Sequence, residues 1–136
     1  MANAIYPKAR QAFARGEIDW QADNIKVLLV DSTYVYSESQ DFRDDVGGGS
    51  VVATSGNLSA KTSDLGIMDA ADITIATVSG DTIVGVILFQ DTGTPATSHL
   101  IAYWDSTAAS VLISVAPDGT SIRVRWSNGP LKIFRL

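Results

Sequence analysis

β-Branched residues are the feature that most limits how this chain can fold. The 136 residues include 12 valines, 12 isoleucines and 11 threonines, about a quarter of the sequence. A side chain branched at Cβ loses rotamer freedom in a helix and packs well on the pleated surface of a sheet. The chain also has 13 aspartates against 2 glutamates, and aspartate favours turns whereas glutamate favours helices. The composition therefore predicts many short strands joined by many turns.

The order of the apolar runs predicts one helix followed by eight or nine strands. A cap at Asn3, Pro7 in the first turn and Gly16 after the last turn indicate a helix over residues 4–15. Residues 25–30 have the pattern of a central strand that is covered on both faces. Further strands are predicted at residues 51–55, 57–65, 72–79, 82–90, 99–105, 111–115, 121–127 and 131–136.

The spacing of these strands predicts the fold class. Turn signals recur roughly every 8 to 12 residues, which is typical of an antiparallel sandwich or barrel. Gly80-Asp81 indicates a two-residue hairpin turn between the strands at 72–79 and 82–90. We expect a mainly β chain in which residues 1–24 form an N-terminal helix and arm. Residues 25–136 are expected to form a single antiparallel β-sandwich or jelly-roll-like domain.

Net charge and residue content argue against several classes of protein. The chain carries a net charge of −5, whereas proteins that bind nucleic acid without sequence preference neutralise phosphates with lysine and arginine. It has no cysteine, so disulfides and a thiolate nucleophile are excluded. The most apolar run, residues 83–89, is far shorter than the roughly 20 residues of a membrane-spanning helix. We therefore expect neither a nucleic-acid nor a membrane partner. The one cluster of basic residues consists of Arg123, Arg125, Lys132 and Arg135.

Residues that could support catalysis or metal binding are few. His99 is the single histidine, and no serine lies in a G-x-S-x-G nucleophile turn. The glycine-rich residues 47–50 lack the lysine of a phosphate-binding loop, and a mobile loop is the simpler interpretation. Aspartates that could hold a hard cation do not match an EF-hand and are more typical of solvated turns; they are Asp41, Asp44 and Asp45, and then Asp69 and Asp72. The sequence predicts no enzyme, no cofactor and no metal site.

Aromatic residues are the better candidates for a functional surface. Tyr103 and Trp104 are neighbours in one strand and must point to opposite faces, so one of them is expected outside the core. In residues 122–126 apolar residues alternate with arginines, which indicates one core face and one face toward solvent or a partner. Exposed aromatic residues mark surfaces for sugars, peptides or subunits, although one large residue at a sheet rim is also ordinary. The predicted protein–protein interface consists of Ile5, Tyr6, Phe13, Trp20, Tyr34, Tyr36 and Trp104.

Sequence blocks along nearly the whole chain resemble a known group of proteins. The opening blocks are AIYPKARQAFARGEIDW at residues 4–20 and NIKVLLVD at 24–31. The later blocks are SAKT at 59–62, GIMDAAD at 66–72, VSGDT at 78–82, FQDTG at 89–93, SHLIAY at 98–103, WSNG at 126–129 and KIFRL at 132–136. In this order they resemble small structural proteins carried by tailed bacteriophages and prophages.

The resemblance implies a virion structural protein. Its most direct form is a capsid decoration, or cement, protein that binds the major capsid protein lattice on the outer surface of the phage head. Such a protein would also bind copies of itself, as a homo-oligomer and most simply a trimer. A tail or fibre component is the nearest alternative. From the residues alone, a carbohydrate-binding β module is a further alternative, and an enzyme would have to rely on carboxylates.

Overall fold

A computed structural model describes residues 3–136 and places one α-helix and nine strands in that part of the chain. The helix, α1, spans Pro7–Ala14. All strand pairs are antiparallel, so the expected mainly β class with a short helix near the N-terminus is confirmed. The strands are β1 (Ala4–Ile5), β2 (Ile25–Val30), β3 (Val51–Thr54), β4 (Ile67–Met68), β5 (Ile73–Ile75), β6 (Gly85–Gln90), β7 (Leu100–Trp104), β8 (Ile122–Val124) and β9 (Phe134–Arg135). Short 3-10 turns lie at Arg43–Asp45, Gly48–Ser50, Asp64–Gly66 and Pro95–Thr97.

The main sheet contains five strands in the order β1-β7-β6-β2-β3. Two of its three inner strands, β2 and β6, are six residues long, and each is buried at every position but its second. Leu28 lies opposite Ile87, which in turn lies opposite Tyr103 on β7. A strand can be apolar almost throughout when both of its faces are covered. The central strand expected at residues 25–30 is therefore confirmed.

Helix α1 is shorter than the helix predicted over residues 4–15. The two residues of β1 are extended and pair with β7, so the helix begins at Pro7, where the missing N–H has no helical partner to lose. Asn3 does not cap it, because its side-chain amide instead donates to the hydroxyl of Ser106 at 2.9 Å. Gly16, with a φ of +72°, follows the last turn as expected.

Two short ribbons complete the sheet structure of the described residues, β4 with β9 and β5 with β8. The hairpin predicted across Gly80-Asp81 is wrong, because β5 pairs with β8 while β6 pairs with β2 and β7. Two residues after β5, Thr77 adopts a φ of 55°, which ends the extended backbone. Val78 then donates its N–H to the carbonyl of Thr120 at 3.0 Å, next to β8 and not across the turn.

Two further predicted strands are not regular strands. Residues 57–65 include Leu65 at a φ of 55°, in the left-handed region that a strand does not use. In residues 111–115, Leu112 and Val115 each form one isolated bridge, to Ser106 and Ile83 respectively. Positive φ at Ala60 and Leu65 interrupts the first segment, and the second forms single bridges without the repeated pairing of a strand.

Gly85 at the start of β6 makes room for a tyrosine of the next strand. A Cβ atom at this position would lie 2.7 Å from a ring carbon of Tyr103 and 3.0 Å from a methyl of Val30. Because both neighbours are buried in the core, neither has space to move aside. The glycine thus leaves the space that the Tyr103 ring occupies.

Candidate functional site

Three of the seven predicted interface residues lie in the core of the chain itself. Tyr6 is 0%, Trp20 is 3% and Tyr34 is 8% exposed. The ring of Trp20 packs edge-on against Phe134 at 5.5 Å, and its indole N–H donates to the carbonyl of Asp69 at 3.2 Å. These aromatic residues were predicted at a surface, and the structure corrects that position because ring partners within the same chain cover them.

The four tyrosines of the chain form one cluster. Ring centroids are 5.2 Å apart for Tyr6 and Tyr36, 5.3 Å for Tyr34 and Tyr103, and 5.6 Å for Tyr36 and Tyr103. The Tyr34 hydroxyl donates to Gln40 Oε1 at 2.6 Å, so it accepts from the Tyr6 hydroxyl at 2.5 Å. Burial raises the pKa of Tyr6 far above its ordinary value and raises the pKa of Tyr34 to about 12. Tyr6, Tyr34 and Tyr103 are thus neutral residues of the core, and the half-buried Tyr36 packs against two of them.

The other four predicted interface residues are half-buried. Phe13 packs toward Phe134, with ring centroids 6.3 Å apart. Ile5, Tyr36 and Trp104 line hollows in the surface, which brings three of the predicted residues together. For these four positions, contact with a partner stays a prediction.

The larger hollow is built around two tryptophans. The rings of Trp104 and Trp126 lie 6.0 Å apart at an angle of 55°, at one side of an open groove of about 560 Å³. We call this space the tryptophan groove. Its apolar lining consists of Val86, Trp104, Ile113, Val124, Trp126 and Ile133, with Ala108 and Ala109 at the edge.

Strand geometry explains how the two tryptophans meet. Trp104 ends β7 and points away from the buried Tyr103, as the alternation of a strand requires. Trp126 lies two residues after β8. Its backbone N–H donates at 2.9 Å to the carboxylate of Asp72, which directly precedes β5. The indole N–H of Trp126 donates to the carbonyl of Ala71 at 3.2 Å. The β5–β8 ribbon therefore holds Trp126 in place beside the main sheet.

A second hollow of about 490 Å³ continues the tryptophan groove toward helix α1. The two share Asn3, Trp104 and Ile133 in their linings. The second hollow also reaches Arg10 on the helix and Arg135 on β9. The two hollows therefore adjoin each other, and we call them together the concave surface.

Large aliphatic side chains stand exposed beside this surface. Val111 is 60% and Leu112 is 64% exposed, and Leu131, which lines the second hollow, is 53% exposed. The N–H of Thr107, a groove residue, donates to the carbonyl of Val111 at 2.8 Å, so the exposed segment borders the groove. Exposed apolar residues that adjoin a concave apolar surface are typical of a contact site.

The same region is basic in an acidic protein. Residues 119–136 contain four of the ten basic residues and none of the fifteen acidic ones, so the remaining residues hold six basic against fifteen acidic. Arg125 and Lys132 from this segment line the tryptophan groove, whose lining has no acidic residue. The lining of the groove therefore contains two basic residues and no acidic one, which favours a negatively charged partner.

His99 lies elsewhere, between two carboxylates. Its Nδ1 is 3.0 Å from Asp41 Oδ1 and its Nε2 is 3.2 Å from Glu17 Oε2, while the Phe42 ring packs on it at 4.7 Å. Both ring nitrogens are thus engaged, and the side chain is largely buried. The arrangement links the segment after α1 to the start of β7, which is a structural role.

Replacing His99 with alanine is expected to lower the free energy of unfolding by about 1–3 kcal/mol, because Asp41 loses its buried partner. Glu17→Ala removes the more exposed of the two carboxylates and is expected to cost less than about 1 kcal/mol. Urea denaturation of both variants measures the difference. Equal effects below about 0.5 kcal/mol would contradict the structural role of His99.

The aspartates near His99 act on the backbone. The Asp45 carboxylate accepts the N–H groups of Asp41 at 2.7 Å and Phe42 at 3.1 Å, as a turn cap does.

Within residues 3–136, no group of three or more histidine, cysteine, aspartate or glutamate side chains is placed to hold a metal ion. Across the same residues, no helix has the length and apolar character needed to span a membrane.

Comparison with known proteins adds no relative. No protein-family model matches the chain, and no curated protein is significantly similar to it.

The signals for the groove were only partly present in the sequence. Strand alternation predicted that either Tyr103 or Trp104 would leave the core, and Trp104 is the one that does. The alternation of residues 122–126 placed Arg123 and Arg125 on a face toward solvent or a partner, and the basic cluster also contained Lys132. Trp126 was not among the predicted interface residues, because only the β5–β8 pairing brings it to Trp104.

Proposed function

We propose that this chain is a structural protein of a tailed-phage particle, and specifically a decoration protein that binds the major capsid protein lattice on the outer surface of the head. The resemblance of the sequence blocks supports the assignment to a phage particle. The exposed apolar surface around the tryptophan groove supports a role in binding another protein. That surface is the observation on which the proposal depends.

The energetics of association favour this surface as the contact. Removing apolar surface from water contributes about 25 cal/mol per Å², and a stable contact covers about 800 Å² on each partner. Val111, Leu112 and Leu131 are more than half exposed although the chain has a well-filled core. A partner that covers them and the tryptophan groove would remove this apolar surface from water.

The decoration role predicts rebinding to particles. Purified protein is expected to bind heads that lack it, with on the order of hundreds of copies per particle, because a symmetric lattice repeats its binding site. Copy number is measured by quantitative gel analysis or by cryo-electron microscopy of the particle. A few copies per particle would contradict head decoration and favour a tail or fibre position.

A pair of variants tests whether the exposed surface makes the contact. Val111→Ser combined with Leu112→Ser is expected to weaken binding to heads by about tenfold or more, because it removes apolar contact area. Leu65→Ser is the control, since Leu65 is 91% exposed but lies outside the linings of the groove and the second hollow. Equal binding by both variants would contradict the assignment of the surface.

A carbohydrate-binding module is the second candidate, favoured by the Trp104–Trp126 pair, because tryptophan rings stack on sugar faces. It predicts measurable affinity for glycans that is lost in Trp104→Ala. No binding across a broad glycan panel would remove this candidate.

A further inference from the structure

The neutral polar side chains of the tryptophan groove are already engaged within the chain. The Asn3 amide donates to Ser106 Oγ at 2.9 Å, and its oxygen accepts the N–H groups of Asp105 at 3.0 Å and Ser106 at 3.2 Å. Ser127 Oγ accepts the N–H of Gly129 at 3.0 Å, and Thr107 Oγ1 accepts an N–H at 3.3 Å. A sugar needs many hydrogen bonds to its hydroxyls, and the amide and hydroxyl groups of this lining are already partly engaged.

The basic side chains of the groove, unlike its neutral polar ones, have no partner among the described residues. Among residues 3–136, Arg125 and Lys132 form neither an ion pair nor a side-chain hydrogen bond, although both line the groove. Arg123, which lies on β8 two residues before Arg125, pairs with Asp72 at 3.3 Å. Within the described part of the chain, the groove lining thus includes two basic residues that no other side chain pairs, beside apolar ones.

The second hollow has the same character. It adds Arg10 and Arg135 to the concave surface, with Glu38 as its single acidic lining residue. Its apolar lining includes Ile5 and Leu131. Positive charge and apolar area therefore continue from one hollow into the next.

We propose that this concave surface binds an acidic segment of another protein. An apolar side chain of the segment packs against Trp104 and Trp126, and carboxylates beside it pair with Arg125 and Lys132. Charge complementarity selects an acidic partner, and the engaged polar groups of the lining select a peptide over a sugar. The inference depends on the proposed function only for the identity of the partner, which is then a structural protein of the particle.

Fluorescence anisotropy with short labelled peptides tests the binding chemistry. The probe has a central tryptophan flanked by aspartates and glutamates, and its twin replaces these acids with asparagine and glutamine. The acidic peptide is expected to bind at least about tenfold more tightly than its twin at low salt, and to weaken as salt increases. Equal affinity for the two peptides would overturn the proposal.

Variants that remove positive charge test whether Arg125 and Lys132 bind the acidic peptide. Arg125→Gln combined with Lys132→Gln is expected to reduce affinity for the acidic peptide by about tenfold or more, because both charges that face the segment are lost. Arg123→Gln, two residues before Arg125 in the chain, is the matched control and is expected to change affinity less than about twofold, since Arg123 is already paired with Asp72. Circular dichroism of each variant checks that the fold is kept. Unchanged affinity in the double variant would place the peptide elsewhere and overturn the proposal.

Two further outcomes identify a different occupant. Binding of an anionic glycan more tightly than the acidic peptide, with loss of that binding in the double variant, would assign the groove to carbohydrate. Self-association in sedimentation that disappears in the double variant would assign it to a second copy of this chain. Either result contradicts a segment of another protein.

The failures of this inference and of the particle assignment are distinguishable. If the acidic peptide binds but the protein does not rebind heads, the groove is confirmed and the decoration role is wrong. If heads are bound equally well by the native protein and by the Arg125→Gln, Lys132→Gln variant, the decoration role stands and the groove is not its contact.

Discussion

Replacing Leu88 with alanine is expected to lower the free energy of unfolding by about 2–5 kcal/mol. Leu88 is 0% exposed on β6, where it lies opposite Val27 on one side and Ala102 on the other. The surrounding strands are fixed by their ladders and can close little of the space that the side chain leaves. Since a domain of this size is stable by only about 5–15 kcal/mol, the loss is a large fraction of the total. Urea denaturation followed by tryptophan fluorescence measures it.

Leu112→Ala makes the same chemical change at an exposed position and serves as the control. Leu112 is 64% exposed, so the free energy of unfolding is expected to change by less than about 0.5 kcal/mol. If Leu88→Ala cost no more than Leu112→Ala, β6 would not be an inner strand of the core. The same control variant is expected to weaken rebinding to heads, which separates a contact residue from a stabilising one.

Inner strands were the part of the fold that the sequence predicts best. Residues 25–30 and 85–90 are almost continuously apolar, and such runs need cover on both faces wherever the chain goes. Helix α1 was predictable for a similar reason, because Pro7 and Gly16 act on the backbone locally. These signals do not depend on which distant segment becomes the neighbour.

Strand pairing depends on distant segments, and there the predictions failed. A glycine followed by a polar residue at 80–81 is a good local signal for a hairpin, yet β5 pairs with β8. The left-handed backbone at Thr77 turns the chain before the predicted hairpin can form. No local pattern shows that residues 122–124 will offer β5 a better partner than residues 82–90 do.

The same limit applies to the functional surface. Tyr6 and Tyr34 have the residue type of an interface, but a hydrogen bond between their hydroxyls places them in the core. Trp104 and Trp126 are far apart in the chain, and only the assembled sheets and ribbons make one groove of them. The sequence predicted that aromatic residues form the contact surface, but the tertiary contacts determine which of these rings are accessible.

The tyrosine cluster predicts a steep loss of stability at alkaline pH. An unfolded tyrosine ionises near pH 10, while burial holds the pKa of Tyr6 far higher and that of Tyr34 at about 12. Above pH 10 the unfolded state therefore binds fewer protons than the folded state, and the free energy of unfolding falls as pH rises. Each tyrosine that stays protonated in the fold contributes about 1.4 kcal/mol per pH unit. Below pH 10 this contribution to stability is fully present.

Tyr6→Phe isolates one member of the cluster, because it keeps the ring and removes the group that ionises. Between pH 10 and 12 the slope of unfolding free energy against pH is expected to be shallower than in the native protein by about 1.4 kcal/mol per unit. At neutral pH the variant loses one hydrogen bond to Tyr34, worth about 0.5–1.5 kcal/mol. Urea denaturation series across this pH range measure both quantities. An unchanged slope would mean that the Tyr6 hydroxyl ionises in the fold as readily as in water, which its complete burial contradicts.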